Sequence, residues 1–233
     1  MTTTKTQPFN LSKQTMGILK NFSSLNSNIL VKPGNVIKTI TPSKNGMAEA
    51  IVPEDFPVEF GIWDLNRFLG VISLFTSPSL AFGDKSVKIT DGNANTVINY
   101  FYSEPRLLTV PTKSVNMPHT DIVVVITEKM FADLQRAASV MQLPDLSIQS
   151  DNNNIIAVIC DIADPTGNSY KTVLKFDRTE ETNFRLNFKI DNLKIVPGDY
   201  TISFSKNVVG QFTHNTLALK YWFAMETTST YED

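Results

Sequence analysis

The sequence predicts an α+β protein of two similar halves, each setting two helices on one face of antiparallel strands. Three observations carry that reading. A run of helix, strands, helix and hairpin strands is completed once and then begins again. Two stretches of the second run lie over two of the first: "LSKQTMGILKNFSSL" over "ITEKMFADLQRAASV", and "FGIWDLNRFL" over "FKIDNLKIVP". They place Ser12 over Thr127, Leu19 over Leu134, Leu25 over Val140, Phe60 over Phe188, Ile62 over Ile190 and Leu65 over Leu193. Finally, 233 residues with 42% hydrophobic and 19% charged side chains suffice for one large domain or two smaller ones and exclude a disordered chain.

The first helix is predicted over residues 11–25. On a helical wheel Leu11, Ile18, Phe22 and Leu25 fall together, with Thr15 and Leu19 beside them. Lys13 and Lys20 fall on the opposite side, next to Gly17 and Ser24. Ser12 is the expected N-cap, and Thr15 stands where a capping box would carry an acid. Strands follow in "SNILVKP", "NVIKTITP", "NGMAEAIVP" and "FPVEFGI", punctuated by turn signals at Pro33-Gly34 and Asn45-Gly46. A second helix is predicted over 64–75, capped by Asp64, with Leu65, Phe68, Ile72 and Phe75 on one face and Asn66, Arg67, Gly70 and Ser73 around the rest. Three further strands lie in "SLAFGD", "KSVKITDG" and "TVINYFYS".

A proline-rich stretch without a period then reads as a connector. The predicted division is a first domain over 1–104, a connector over 105–120 and a second domain over 121–233. The second domain opens on "DIVVVI" and a helix over 127–141 capped by Thr127. Strands follow at "LSIQS", "NIIAVICDI", "SYKTVLKF" and "NFRLNFKI". A short helical turn at "DNLKIVPG" precedes the closing strands "YTISFSK", "VVGQFTH" and "LALKYWFAM".

Catalytic chemistry finds no footing. His119 lies in the connector and His214 in a hairpin; both read as solvated loop residues without metal-ligand spacing. The "GDKS" at 83–86 lacks the glycine spacing of a phosphate loop. The acids of "PEDFPVEF" and "DRTEETN" read as solvated turns, and Cys160 as a buried, inert thiol. No enzyme activity, cofactor or metal is expected. No apolar run nears the ~18 residues of a membrane helix, and the polar start lacks a signal-peptide core, so a cytoplasmic protein is predicted.

Charge is the informative property. Residues 1–48 hold six lysines and no Asp or Glu, in a chain whose net charge is −2. The cations expected on helix faces are Lys13 and Lys20 on the first helix, Arg67 on the second, Lys129 and Arg136 on the third and Lys194 on the short fourth. Such faces attract phosphates without reading sequence, while acids elsewhere discourage loose adsorption.

The stretches "LSKQTMGILKNFSSLNSNILV", "IWDLNRFLGVISLF", "ITEKMFADLQ", "NLKIVPGDY" and "YWFAMETTSTYED" resemble, in order, the DNA polymerase sliding clamps of T-even-type tailed phages. The resemblance implies a DNA-clamp fold, with three subunits of two domains each closing into a ring, sheets outside and helices inside. It implies a processivity factor that encircles duplex DNA and tethers the polymerase in the cytoplasm of an infected bacterium. An ATP-driven clamp loader, and late-transcription factors, are the further partners implied; a membrane is not. It also implies a partner-peptide pocket between connector and C-terminal strand, with Leu107, Leu108, Val110, Phe223, Ala224 and Met225 as its candidates. Two rival classes remain: a β-rich phage tube or baseplate protein, and a non-specific single-stranded nucleic-acid binder.

Overall fold

The computed structural model describes residues 9–91, 96–113, 115, 117, 119–178, 183–205 and 209–232. The polar start and the acids Glu180 and Glu181 of the "DRTEETN" turn lie outside these residues. The chain divides into two compact units: residues 1–44 with 49–112, and residues 45–48 with 113–233.

The first unit opens with helix α1 (Lys13–Leu25) and strands β1 (Ile29–Val31), β2 (Gly34–Ile40), β3 (Gly46–Phe56) and β4 (Phe60–Ile62). Helix α2 (Leu65–Ile72) and strands β5 (Ser79–Phe82), β6 (Ser86–Thr90) and β7 (Val97–Phe101) complete it. The period of α1 decides what it buries: Thr15, Ile18, Leu19, Phe22 and Leu25 are all inside. Each large apolar side chain removed from water there contributes about 1.5–3 kcal/mol, far more than the propensity of so short a helix. The helix stops where Asn26 turns extended, its N–H still bonded to the Phe22 carbonyl. Strands β1 and β4 pair antiparallel, Ile29 opposite Ile62. Strand β2 neighbours β3, and β5, β6 and β7 form an antiparallel sheet. Phe9, Phe56, Phe60, Phe82 and Tyr102 cluster between these elements, with neighbouring ring centroids 5.1–6.3 Å apart.

Helix α2 ends at Ile72, three residues short of the expected Phe75. Its last turn tightens into i to i+3 bonds, Leu74 N–H to Val71 and Phe75 N–H to Ile72, as helix ends commonly do. Phe75 stays buried in that turn, so the apolar pattern persists one turn beyond the helix.

The second unit holds β8 (Ile122–Ile126), α3 (Glu128–Met141), β9 (Asp145–Asp151), β10 (Asn154–Cys160), β11 (Tyr170–Arg178) and β12 (Phe184–Lys189). It closes with β13 (Tyr200–Ser205), β14 (Val209–His214), β15 (Leu219–Ala224) and the short β16 (Thr230–Tyr231), which was not expected. These strands follow the order β16-β12-β9-β10-β11-β8-β13-β14-β15, and every pairing among them is antiparallel. Strict alternation on β8 buries Ile122, Val124 and Ile126.

Where a second helix was expected, the unit has only a 3₁₀ turn at Ile190–Asn192. Pro197 disfavours a helical Val196 and supplies no N–H of its own. The segment spends its polar groups elsewhere: Val196 N–H donates to Tyr221 Oη (3.1 Å) and Tyr200 Oη donates to the Val196 carbonyl (2.6 Å).

Three side chains depart from expectation. His214 is buried, because it shares the inward face of β14 with Phe212. Its Nδ1 accepts from Thr216 and Leu217 N–H (both 3.2 Å), and its ring lies edge-on to Tyr200. Glu54 lies half-buried in β3 instead of in a solvated turn. Cys160 is half-buried; burial pushes its thiol pKa up, and the Arg185 guanidinium 4.0 Å away offsets only part of that.

The repeat is visible in the core. Ser12 and Thr127 both cap a helix by accepting the N–H three residues on. Leu19 and Leu134, Phe60 and Phe188, and Leu65 and Leu193 are buried pairwise. Val140 breaks the correspondence, being 77% exposed where Leu25 is buried.

Candidate nucleic-acid interface

Helices α1 and α2 pack against each other in the first unit. Leu65 N–H bonds the Ser27 carbonyl (2.8 Å), and the Ser23 hydroxyl donates to the Asn66 side-chain oxygen (2.8 Å). The faces turned away from this packing are exposed: Lys13, Gly17, Lys20 and Ser24 on α1, and Arg67, Gly70 and Ser73 on α2. Among the described residues neither Lys13 nor Lys20 has a carboxylate partner. Arg67 Nε stands 3.7 Å from Asp64 Oδ2, in a pair that is largely solvated. A Cβ placed on Gly17 or Gly70 would meet nothing within 4 Å. Packing therefore does not require glycine at either position, though mid-helix glycine costs about 1 kcal/mol. Their effect is a low, cationic outer surface.

That surface works against its own helix. Lys13 occupies the first helical position, and α1 has no acid in its first turn, although the N-terminal end of a helix dipole favours negative charge. The compensation comes from β3. Glu54 accepts from the Ser12 backbone N–H and from the Thr15 hydroxyl, while the Ser12 hydroxyl accepts from Thr15 N–H (3.1 Å). This is a capping box whose acid arrives from a strand. Burial raises the Glu54 pKa, but the hydrogen bonds from Thr15 and Ser12 outweigh it and hold the carboxyl below its ordinary value.

The third helix is weaker in charge. Lys129 and Arg136 are exposed, yet Asp133 lies between them, 2.6 Å from Lys129 Nζ and 3.4 Å from Arg136 Nη1. The hydrogen bond between Lys129 and Asp133 raises the first pKa and lowers the second. With Glu128 counted, two cations on α3 meet two acids. The Lys129–Asp133 spacing of four was legible in the sequence and was passed over. Lys194 is exposed but sits just past the 3₁₀ turn, not on a helix. It borders an open groove of about 500 Å³ lined also by Gln135, Ala138, Ser139, Gln142 and Leu193. The structure thus joins Lys13, Lys20 and Arg67 on one helix pair, and sets Lys129, Arg136 and Lys194 along α3 and its groove.

The docking candidates divide by unit. Leu107 is 59% exposed, Val110 half-buried, and Leu108 buried against Gly61, where an added Cβ would fall 2.6 Å from Leu108 Cδ1. Phe223 is buried, stacked on Tyr221 and edge-on to Phe212, whereas Ala224 is exposed and Met225 half-buried. Sequence reasoning missed Trp63, which is 56% exposed just before the cap of α2. Among the described residues no group of three or more His, Cys, Asp or Glu could hold a metal ion, and no helix is long and apolar enough to cross a membrane.

Antiparallel sheets carrying few helices, in two units with matching core positions, have the DNA-clamp fold. The chain has the fold of PCNA from Thermococcus kodakaraensis, with a TM-score of 0.71, 11% identity and coverage of 94% of this chain and 98% of that one. PCNA of A. fulgidus, in a structure with the C-terminal region of FEN-1, gives a TM-score of 0.70, 14% identity and coverage of 92% and 96%. The profile of the DNA polymerase processivity factors matches residues 12–102. The sliding clamp of Vibrio phage KVP40 is 28% identical over 221 residues, covering 93% of this chain and 98% of that one. Those of Escherichia phage RB69 and Enterobacteria phage T4 are each 26% identical, covering 95% of this chain and 99% of each relative. The chain is thus similar to the DNA polymerase processivity factors over residues 12–102, and to the sliding clamps of these three phages over nearly its whole length.

Proposed function

We propose that three copies close into a ring around duplex DNA, with Lys13, Lys20 and Arg67, and more weakly Lys129, Arg136 and Lys194, facing the phosphates. An ATP-driven loader places the ring at primer–template junctions in the cytoplasm of the infected host, and the ring also supports late transcription. Partner peptides dock on the connector, through Leu107 and Val110 over Leu108, and on the C-terminal strand end, through Ala224 and Met225 over Phe223. The observation that carries this reading is the unpaired Lys13 and Lys20 on a helix face free of acids and kept low by glycine. Topology then replaces affinity: a few lysines give a salt-sensitive attraction, each contact releasing roughly one counterion, weak enough to permit sliding.

Native mass spectrometry and DNA retention test it together. A closed trimer is expected, held on circular duplex only after loader action and lost from linear duplex with free ends. Lys13→Glu with Lys20→Glu should leave folding and assembly intact, since surface changes of this kind cost about 0.5 kcal/mol or less, and should cut processive synthesis most at raised salt. Filaments or larger rings favour the tube-like rival, and tight loader-free binding of oligonucleotides favours the single-strand binder.

A further inference from the structure

The start of the connector is gripped by two buried asparagines. Asn26 and Asn28 follow the end of α1 and are 3% and 7% exposed. Asn26 Oδ1 accepts from Asn28 N–H (2.9 Å), and its Nδ2 donates to the carbonyls of Ile40 (2.8 Å) and Thr109 (2.9 Å). Asn28 Oδ1 accepts from Thr109 N–H (3.1 Å), and its Nδ2 donates to the Trp63 carbonyl (2.8 Å). Both backbone groups of Thr109 are thus taken by side chains more than eighty residues away, as a neighbouring strand would take them in a sheet. A second anchor lies upstream, where Ser103 N–H donates to the Gly61 carbonyl (2.8 Å) and Leu108 packs over that glycine. Between the anchors the chain makes one 3₁₀ turn, Pro105–Leu107.

This grip has a directional result. With Leu108 pinned inward and Thr109 bonded on both sides, Leu107 is turned out to solvent. The side chain that accepts from Thr109 N–H also donates to the Trp63 carbonyl, so one amide braces the backbone at Trp63, whose indole is exposed, and the backbone two residues past the exposed Leu107. Buried amides satisfied at every contact rigidify what they touch, and a surface ordered in advance binds without the loss of chain freedom that a loose segment suffers.

We infer that Asn26 and Asn28 are positioning residues for partner docking: they hold the connector in one extended form and present Leu107, Val110 and Trp63 together to the DNA polymerase. This rests on the proposed reading of the connector as a docking segment. The test uses the full-length protein, amide hydrogen exchange and binding of the polymerase encoded by the same genome, with Asn28→Ala and Asn28→Asp. The aspartate keeps the oxygen that accepts from Thr109 and loses the donor to the Trp63 carbonyl and to Ser27 Oγ.

In Asn28→Ala the Thr109 amide should exchange about tenfold faster or more, while the Phe22 and Leu69 amides keep their protection. Polymerase affinity should fall about tenfold with it. Asn28→Asp should restore Thr109 protection and most of the affinity. Unchanged exchange at Thr109 in Asn28→Ala, or equal loss of protection in both helices, overturns the positioning role. If Thr109 loosens while the polymerase binds every variant alike, the grip stands and the docking reading falls.

Discussion

At the scale of single residues, Glu54 makes the pH behaviour of the first unit predictable. Its folded pKa is lowered from an ordinary 4.5, so its contribution is present above that value and disappears as pH falls through the folded pKa. Glu54→Gln should lower stability by about 1 kcal/mol at neutral pH. The difference between the two proteins should shrink in denaturant titrations below pH 4.5; a difference constant with pH would remove the carboxylate from the cap. No sequence pattern announces this contact, because the acid lies thirty-nine residues from Thr15. His214 escaped for a related reason: a hairpin position says nothing about which face of the strand the ring takes. The lysines of α1 were legible, since a helix period fixes their side once its apolar stripe is known.

At the scale of elements, the charge on α3 is decided by Asp133. Asp133→Asn should release Lys129 and Arg136 and alter stability little, because solvent screens exposed ion pairs. If those two cations face DNA, the slope of log affinity against log salt on duplex should steepen by about one to two. An unchanged slope would place α3 away from the phosphates. Helix and strand positions were readable wherever a 3.6 or 2 period ran long enough, as on α1 and β8. The missing helix after β12 was not, because its apolar spacing copies that of α2 and only Pro197, with the tyrosine hydroxyls waiting for Val196, says otherwise. Connector geometry was equally hidden. Prolines mark it as irregular, but asparagines eighty residues upstream hold it.

At the scale of the whole molecule, the doubled plan was legible because aligned core positions stayed apolar while surface letters drifted. Leu65 and Leu193 remain buried although one starts a helix and the other follows a 3₁₀ turn. Most matching positions are thus dry in both units, Val140 excepted, while the helices differ. What the plan leaves unequal is charge, with Lys13 and Lys20 unpaired on α1 among the described residues and Lys129 and Arg136 both paired with Asp133 on α3.

Keeping acids out of the first forty-eight residues has a consequence for synthesis. A nascent chain that has emerged only through β1 carries a thirteen-residue helix whose leading end bears a lysine and lacks its carboxylate, a length marginal in water even for favourable sequences. The helix should therefore wait for β3 to leave the ribosome. A peptide spanning residues 9–31 should show little helicity by circular dichroism, and one spanning residues 9–62 markedly more. The exposed Lys13 and Lys20 would then be put in place by the strand whose carboxylate caps their own helix.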